Sequence, residues 1–181
     1  VTMASGETDF GAVIYCGPAH RLAELQISGT GILPVSGQTE THRQDACATT
    51  AFAEISHPPV SAVVLGFRRE DVAHPCAGFG MLIPKIEGFK ILGTIFSSAL
   101  FPNRAPDGHI TLTNYIGGTR YPELGLLPPE QLIATTLADL RALLGVRGQP
   151  VFTHTKTWPK AIPQYNVGYG KFKQLLNDLE A

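Results

Sequence analysis

The sequence predicts an α+β fold in which a mixed or antiparallel sheet is flanked by helices. Segments rich in β-branched and aromatic residues recur between residues 60 and 158, as expected for strands. Two of them, residues 78–84 and 91–98, follow one another with a short turn at Glu87-Gly88 between them, which favours neighbouring strands. Two amphipathic stretches, at 128–144 and 169–179, have helical spacing.

The first quarter of the chain predicts a strand, a helix and then a loop. Residues 12–16 form a compact apolar run that ends at Gly17-Pro18, and residues 19–27 have helical spacing. Residues 30–49 are polar and rich in turn formers, without a sustained period, so we expect a flexible inserted loop. Residues 60–67 then predict a strand.

The two segments at 78–84 and 91–98 predict an apolar wall. The first places two glycines around Phe79 and then turns continuously apolar, and the second ends in two serines. A glycine within a strand often marks a place where a ligand or another backbone comes very close. Such a wall suits a large, flat, apolar ligand better than a sugar or a phosphate.

The remaining elements follow from turn and cap chemistry. Residues 105–108 (APDG) predict a turn, and residues 110–116 predict a strand. The 128–144 helix begins with two prolines and an acid and stops at a glycine. Residues 151–158 predict the last strand before the 169–179 helix.

The composition bounds the class of protein. The 181 residues are 44% hydrophobic and 16% charged with a net charge of −1, which is typical of a globular chain with a sizeable core. No basic run indicates nucleic-acid binding, and no apolar run approaches the roughly 20 residues that span a bilayer. The three cysteines are scattered, so we expect a reducing, cytoplasmic compartment.

The sequence contains no self-sufficient catalytic or metal motif. It lacks a nucleophile elbow, a zinc-binding H-E-x-x-H, a P-loop and a dinucleotide fingerprint. The six histidines never stand four residues apart, so we predict neither a metal ligand nor a catalytic side chain. Any catalysis has to come from a cofactor or from polypeptide outside this chain.

Four segments, in order, resemble the flavin-dependent porphyrinogen oxidases, which are amine-oxidase-like flavoproteins. They lie in order, at spacing similar to the family's, over residues 60–169, and the strand and turn at 12–20 resemble the family's return from its flavin domain. The four segments are residues 78–84 (GFGMLIP), 91–102 (ILGTIFSSALFP), 117–124 (GGTRYPEL) and 158–165 (WPKAIPQY).

The resemblance implies a six-electron oxidation of protoporphyrinogen or coproporphyrinogen to the porphyrin, with FAD as acceptor and dioxygen reoxidising the flavin. By the family's pattern the substrate pocket is expected at five residues, and one aromatic residue is expected beside the flavin. The five are Phe79, Gly80, Leu82, Ile95 and Tyr115, and the aromatic is Trp158. No acid or base is implied, as suits hydride transfer to a flavin.

The family's two glycine-rich flavin segments and its carboxylate-binding arginine are not found in this sequence. We therefore expect a fragment that covers mostly the substrate domain and binds FAD weakly or not at all, with Arg120 as a solvated turn residue. The expected parts are the end of a flavin domain (1–29), an inserted loop (30–49), a substrate domain (50–160) and a return to the flavin domain (161–181).

Two alternatives stay open at this point. The chain could be a binding or interaction module without redox chemistry, or a part of a related flavoenzyme with another substrate, such as a polyamine or a carotenoid. The two porphyrinogens are not separated by the sequence. Its expected partners are the porphyrinogen and the rest of the flavoprotein, with membrane contact only through segments outside this chain.

Overall fold

A computed structural model describes residues 51–180, Gly17 and the backbone of residues 2–3 and 6–7; side chains are described up to residue 177. Two compact units are present, one formed by residues His57–Ile162 and the other by residues Val1–Ser56 with Pro163–Ala181. The predicted strand at 12–16, helix at 19–27 and inserted loop at 30–49 lie outside the described residues. The predicted domain boundaries stay predictions.

The His57–Ile162 unit is built on a five-stranded antiparallel sheet. Its strands lie in the order β4-β5-β6-β3-β7, with the two longest, β3 and β6, adjacent. The predicted α+β class with an antiparallel sheet is therefore confirmed. The strands are β3 (Val60–Arg68), β4 (Gly80–Leu82), β5 (Ile91–Ile95), β6 (His109–Gly117) and β7 (Phe152–Trp158), numbered after a two-residue pair, β1 (Thr2–Met3) and β2 (Gly6–Glu7), in the other unit.

The two faces of this sheet differ because side chains alternate along each strand. One face, the core face, carries large aliphatic and aromatic residues such as Leu65 on β3 and Leu112 on β6, which are directly opposite each other and fully buried. The other, which we call the open face, carries the intervening residues. By register these are Ala62, Val64 and Gly66 on β3; Gly80 and Leu82 on β4; Gly93 and Ile95 on β5; Thr111, Thr113 and Tyr115 on β6; and Phe152, His154, Lys156 and Trp158 on β7.

A long helix covers the core face. Two helices lie in this unit, α1 (Ser97–Leu100) and α2 (Pro129–Leu144), and α2 begins with a proline at its first position and ends at Gly145, whose φ is +63°. Its buried residues join the core of the sheet, and they are Leu132, Thr136, Leu137, Leu140 and Leu144. Asp139 ties the helix to the sheet because its Oδ2 accepts hydrogen bonds from the backbone N–H of Lys90 (2.7 Å) and Ile91 (2.8 Å).

The connection between β4 and β5 is longer than a tight turn. A single 3₁₀ turn, Lys85–Glu87, is closed by Gly88 in the left-handed region at φ +75°. The predicted turn at Glu87-Gly88 is thus confirmed, within a loop that also contains residues 83–90. The predicted strand at 91–98 ends early, at Ile95, because the two serines begin α1.

In the second unit, a 3₁₀ turn packs against the C-terminal helix. The turn is Phe52–Glu54 and the helix is α3 (Gly170–Glu180). Phe52, Ile55 and Phe172 are buried together in a small cluster. An exposed ion pair of 2.5 Å joins Lys171 Nζ to Glu54 Oε2 across the same contact.

Candidate functional site

The close approach of β4 and β5 explains the glycines of the predicted wall. Gly80 has φ +147°, and a Cβ there would lie 2.2 Å from the carbonyl oxygen of Thr94. A Cβ on Gly93 would lie 2.5 Å from the carbonyl oxygen of Met81. Both strands therefore pair only without these side chains, and the neighbouring backbone is what requires glycine at Gly80.

All five residues predicted to bind substrate line one cavity of about 410 Å³. Gly80, Leu82, Ile95 and Tyr115 lie on the open face by register, and Phe79 precedes β4. Phe79 is 70% exposed and Leu82 is 90% exposed, so both apolar side chains are presented to solvent. The cavity falls in the size range of small-molecule sites and is lined mainly by apolar groups.

A second cavity of about 710 Å³ adjoins the first on the same face. The two share Ile95 and Tyr115 as lining residues, so these side chains form the boundary between them. The larger cavity also contains two basic side chains, Arg104 and His109, together with the hydroxyls of Ser97, Thr111 and Thr113. It is thus the more polar half of the open face.

Arg104 comes from the loop between α1 and β6, of which only the turn at residues 105–108 was predicted, and His109 is the first residue of β6. Arg104 follows Pro102-Asn103, and Asn103 has φ +61°, so the chain turns back over the sheet at this point. Thr111 Oγ1 donates a 2.7 Å hydrogen bond to the Arg104 carbonyl, which fixes the loop to the open face. The sequence did contain a signal for this residue, because Arg104 closely follows the apolar segment 91–102.

Trp158, predicted to lie beside the flavin, is apart from the other predicted residues. It stands at the end of β7 on the open face, opposite Val60, and is 42% exposed. β7 and β4 are the two edge strands, four strand spacings or about 19 Å apart. Trp158 lines neither cavity, so the structure does not join it to the five wall residues.

Arg120 is less exposed than the sequence analysis expected. Its residue is half-buried, and its Nη1 is fully buried without a hydrogen-bond partner among the described residues. A solvated turn arginine would have both terminal nitrogens in water. Arg120 follows the turn after β6, in which Gly117 has φ +109° and Gly118 has φ +64°.

Known proteins resemble this chain along nearly its whole length. The family described as flavin containing amine oxidoreductase matches residues 1–179. The chain belongs to this family. The chain spans about a quarter to a third of the length of the curated relatives it matches.

Several proteins similar to this chain are named porphyrinogen oxidases. Protoporphyrinogen oxidase 2 of Arabidopsis thaliana is 40% identical over 130 residues, covering 70% of this chain and 26% of the relative. The mitochondrial protoporphyrinogen oxidase of Nicotiana tabacum is 32% identical over 179 residues, covering 97% and 33%. Coproporphyrinogen III oxidase of Bacillus subtilis is 28% identical over 147 residues, covering 78% and 31%.

Two solved structures show the same fold. A putative protoporphyrinogen oxidase from Exiguobacterium sp. 255-15 superposes with a TM-score of 0.61 at 18% identity, covering 71% of this chain and 28% of its own. Reduced UDP-galactopyranose mutase superposes with a TM-score of 0.68 at 12% identity, covering 98% and 35%. The fold is therefore shared with a protein named as an oxidase and with one named as a mutase.

The described residues do not supply a cradle for a flavin dinucleotide. Between residues 51 and 180 no G-x-G-x-x-G loop leads from a strand into a helix. The N-terminus of α2 carries prolines at positions 128 and 129 and then Glu130, which offers few N–H donors and a negative charge instead of an anion site. Trp158 is the one predicted flavin contact in this range, and its indole is accessible.

Metal chemistry has no scaffold in the described part of the chain. No three His, Cys, Asp or Glu side chains between residues 51 and 177 lie close enough together to hold an ion. No helix in the described ranges is long and apolar enough to cross a membrane. What the open face offers is a surface for binding and orienting a ligand.

Proposed function

We propose that this chain is the substrate-binding portion of an FAD-dependent oxidase that converts protoporphyrinogen IX or coproporphyrinogen III to the porphyrin in haem biosynthesis. The observation that carries the proposal is the convergence of Phe79, Gly80, Leu82, Ile95 and Tyr115 on one cavity of the open face. The names of the curated relatives support the same substrate class. In the reaction the ring system gives up six electrons and six protons, and dioxygen is the final acceptor.

The role of the residues in hand is to bind and orient the ring. A tetrapyrrole is broad and apolar except at its carboxylates, so it gains most from a flat apolar surface. The exposed Phe79 and Leu82 side chains supply such a surface at one edge of the sheet, and Ile95 and Tyr115 continue it towards the centre. The Arg104 guanidinium in the adjoining cavity disfavours a polyamine, since it would repel the cationic groups of that substrate.

Binding of the stable porphyrin to the full chain tests this role. Leu82 and Ile86 form a matched pair because both are 90% exposed aliphatic residues, and only Leu82 lines the cavity. We expect Leu82→Lys to weaken protoporphyrin IX binding by about 10–100-fold, since one apolar contact is lost and a charge is left on the wall. Ile86→Lys should leave the dissociation constant within about twofold of the unchanged chain.

The matched pair separates a specific site from general adhesion of a greasy ligand. Equal losses in both variants would mean that the porphyrin adheres to exposed apolar surface, and would contradict the proposal. Far-ultraviolet circular dichroism on both variants serves as the folding control. A chain that fails to bind porphyrin at all would contradict it directly.

FAD is proposed as the cofactor of the complete oxidase, held by a polypeptide that carries the dinucleotide-binding segments. The purified chain should then show no stoichiometric flavin absorbance after desalting. Stoichiometric flavin in that sample would overturn this part of the proposal. The complete oxidase is proposed to act in the cytoplasm, with peripheral membrane contact through segments other than those described, which cell fractionation tests.

A further inference from the structure

The larger cavity places basic chemistry beside the predicted apolar wall. Arg104 and His109 line it, and Ile95 and Tyr115 separate it from the wall cavity. A flat ring seated on Leu82, Ile95 and Tyr115 would therefore have one edge beside these basic groups. That edge is where the ligand's own polar groups would be expected.

Arg104 is held in place by both its backbone and its side chain. The Thr111 hydroxyl donates to the Arg104 carbonyl at 2.7 Å, and Thr111 itself is fixed because its backbone N–H donates to Ser98 Oγ at 3.0 Å. The guanidinium carbon lies 5.8 Å from the centroid of the Phe101 ring, within reach of a cation–π interaction. These contacts reduce the conformational freedom that an exposed arginine would lose on binding an anion.

The guanidinium has no ionic partner in the part of the chain whose side chains are described. Within residues 51–177 no carboxylate is recorded at ion-pair distance from it. Its hydroxyl neighbours in the cavity are neutral, and Ser97 and Thr113 already hydrogen-bond each other at 2.7 Å. A planar guanidinium with its donors unused is suited to a carboxylate, which it binds in bidentate fashion.

His109 provides a second polar side chain in the same cavity. Its Nδ1 lies 3.0 Å from the carbonyl oxygen of Asp107. Because a carbonyl oxygen only accepts, this contact places a proton on Nδ1, and Nε2 can donate to a carboxylate only when the ring carries both protons. Arg104 and His109 thus present their polar groups from neighbouring points of the loop and of β6.

We propose that Arg104, assisted by His109, binds a carboxylate substituent of the ring ligand and makes this chain select acid over ester side chains. The inference rests on the proposed function, because the ring has to occupy the wall formed by Leu82, Ile95 and Tyr115. The ligand class is a flat apolar ring system that bears flexible carboxylate arms. The residue is a specificity determinant and takes no part in the redox chemistry.

The test compares protoporphyrin IX with its dimethyl ester, which has the same ring but no carboxylate. Dissociation constants are measured for the full chain and for Arg104→Gln, Arg104→Lys and Arg141→Gln. Arg141 is the matched control because it is an exposed arginine on α2, the helix that covers the opposite face of the sheet. Thermal unfolding of each variant checks that the fold is kept.

We expect the full chain to bind the diacid at least tenfold more tightly than the diester, with a preference that weakens as salt is added. Arg104→Gln should bring the ratio of the two dissociation constants close to one, Arg104→Lys should keep part of the preference, and Arg141→Gln should leave it unchanged. The diester constant should stay the same in all four proteins.

Failure of this inference is distinguishable from failure of the proposed function. The inference is overturned if the full chain shows no preference for the diacid, or if Arg104→Gln retains that preference. In either case, binding of the diester leaves the proposed function standing. Absence of binding by both the diacid and the diester overturns the proposed function, and the inference with it.

Discussion

The two faces of the central sheet use the same strands for different purposes. On β6, the core face carries Ile110, Leu112, Asn114 and Ile116, none more than 4% exposed. The open face of the same strand carries His109, Thr111, Thr113 and Tyr115, all half-buried. α2 covers the first set, and no helix of the His57–Ile162 unit covers the second in this way. We therefore assign stability to the first set and propose ligand binding for the second.

This contrast predicts that the exposed apolar residues of the open face serve ligand binding and contribute little to folding. Leu65 on the core face is fully buried, and Leu82 on the open face is 90% exposed, although both are leucines in strands of one sheet. A folded chain gains little from leaving Leu82 in water. The proposed function gives this side chain a ligand-binding role, and comparing the two leucines tests it.

The largest expected effect is on Leu65→Ala. Removing a fully buried leucine side chain leaves a cavity in the core, so we expect the free energy of unfolding to fall by about 2–5 kcal/mol. Leu82→Ala should change it by no more than about 0.5 kcal/mol. Urea denaturation followed by circular dichroism measures both.

Porphyrin binding should give the reverse order for the same two variants. Leu82→Ala is expected to weaken binding by about tenfold, because the wall loses apolar contact area. Leu65→Ala should bind normally at temperatures where it is folded. The distinction between the two faces is contradicted if Leu82→Ala lowers the free energy of unfolding and leaves the affinity for porphyrin unchanged.

The next effect concerns the glycines of the wall. Gly78 and Gly80 both have φ in the region that favours glycine, at +116° and +147°, but a Cβ on Gly78 would meet nothing within 4 Å. Gly78→Ala therefore measures backbone strain alone, which costs about 1–3 kcal/mol. Gly80→Ala adds a steric clash with the Thr94 carbonyl, so its loss of stability should exceed that of Gly78→Ala by denaturation.

A larger loss in Gly80→Ala should be accompanied by weaker porphyrin binding, because β4 would separate from β5 and widen the wall. Equal losses of stability in the two variants would show that the close approach of the strands contributes nothing. Binding that survives in Gly80→Ala would show that the wall does not depend on this pairing.

Much of this architecture could be predicted from the sequence because it follows local rules. The run at 60–67 became β3, and the proline start and glycine stop delimited α2 as Pro129–Leu144. Alternation does not tell which face of a strand is covered, so the burial of Asn114 could not be foreseen. Its Nδ2 donates to the Val63 carbonyl at 2.9 Å, and that partner is 51 residues away in the chain.

The candidate site was predicted in part for the same physical reason. The apolar wall could be read from consecutive residues of two neighbouring strands, whereas Tyr115 on β6 was named only through the family resemblance. All five residues line one cavity. Arg104 was missed because a tertiary contact, the Thr111–Arg104 hydrogen bond, brings its loop onto the sheet. His109 was missed because it begins β6 one residue before the predicted strand at 110–116. Whether the wall binds a porphyrinogen stays a prediction.

A smaller effect is expected where α2 meets the edge of the core face. Asp139→Ala removes the acceptor of the Lys90 and Ile91 N–H groups, so we expect a loss of about 1–2 kcal/mol in the free energy of unfolding. Asp139→Asn retains an oxygen that can accept these bonds and should lose less. If both variants lose the same amount, the hydrogen bonds do not account for the effect.

The smallest effect is expected at Cys76, a buried free thiol in the core-face cluster. Burial raises the pKa of the Cys76 thiol, and a hydrogen bond and the positive charge of Arg69 lower it by a smaller amount. Because the thiolate is the reactive form, alkylation should be several-fold slower than in the urea-unfolded chain. Cys16→Ser and Cys47→Ser in the same chain restrict the measurement to Cys76.

The raised pKa of Cys76 also fixes the sign of a pH dependence. The folded state favours the neutral thiol, so its contribution to stability is complete below the ordinary pKa of 9.0 and is lost as the pH rises through the folded value. The free energy of unfolding should therefore fall more steeply above pH 9 in this background than after Cys76→Ala. The prediction is contradicted if the free energy of unfolding varies with pH in parallel for the two chains. It is also contradicted if Cys76 is alkylated as fast in the folded as in the unfolded chain, since the thiol would then be open to solvent.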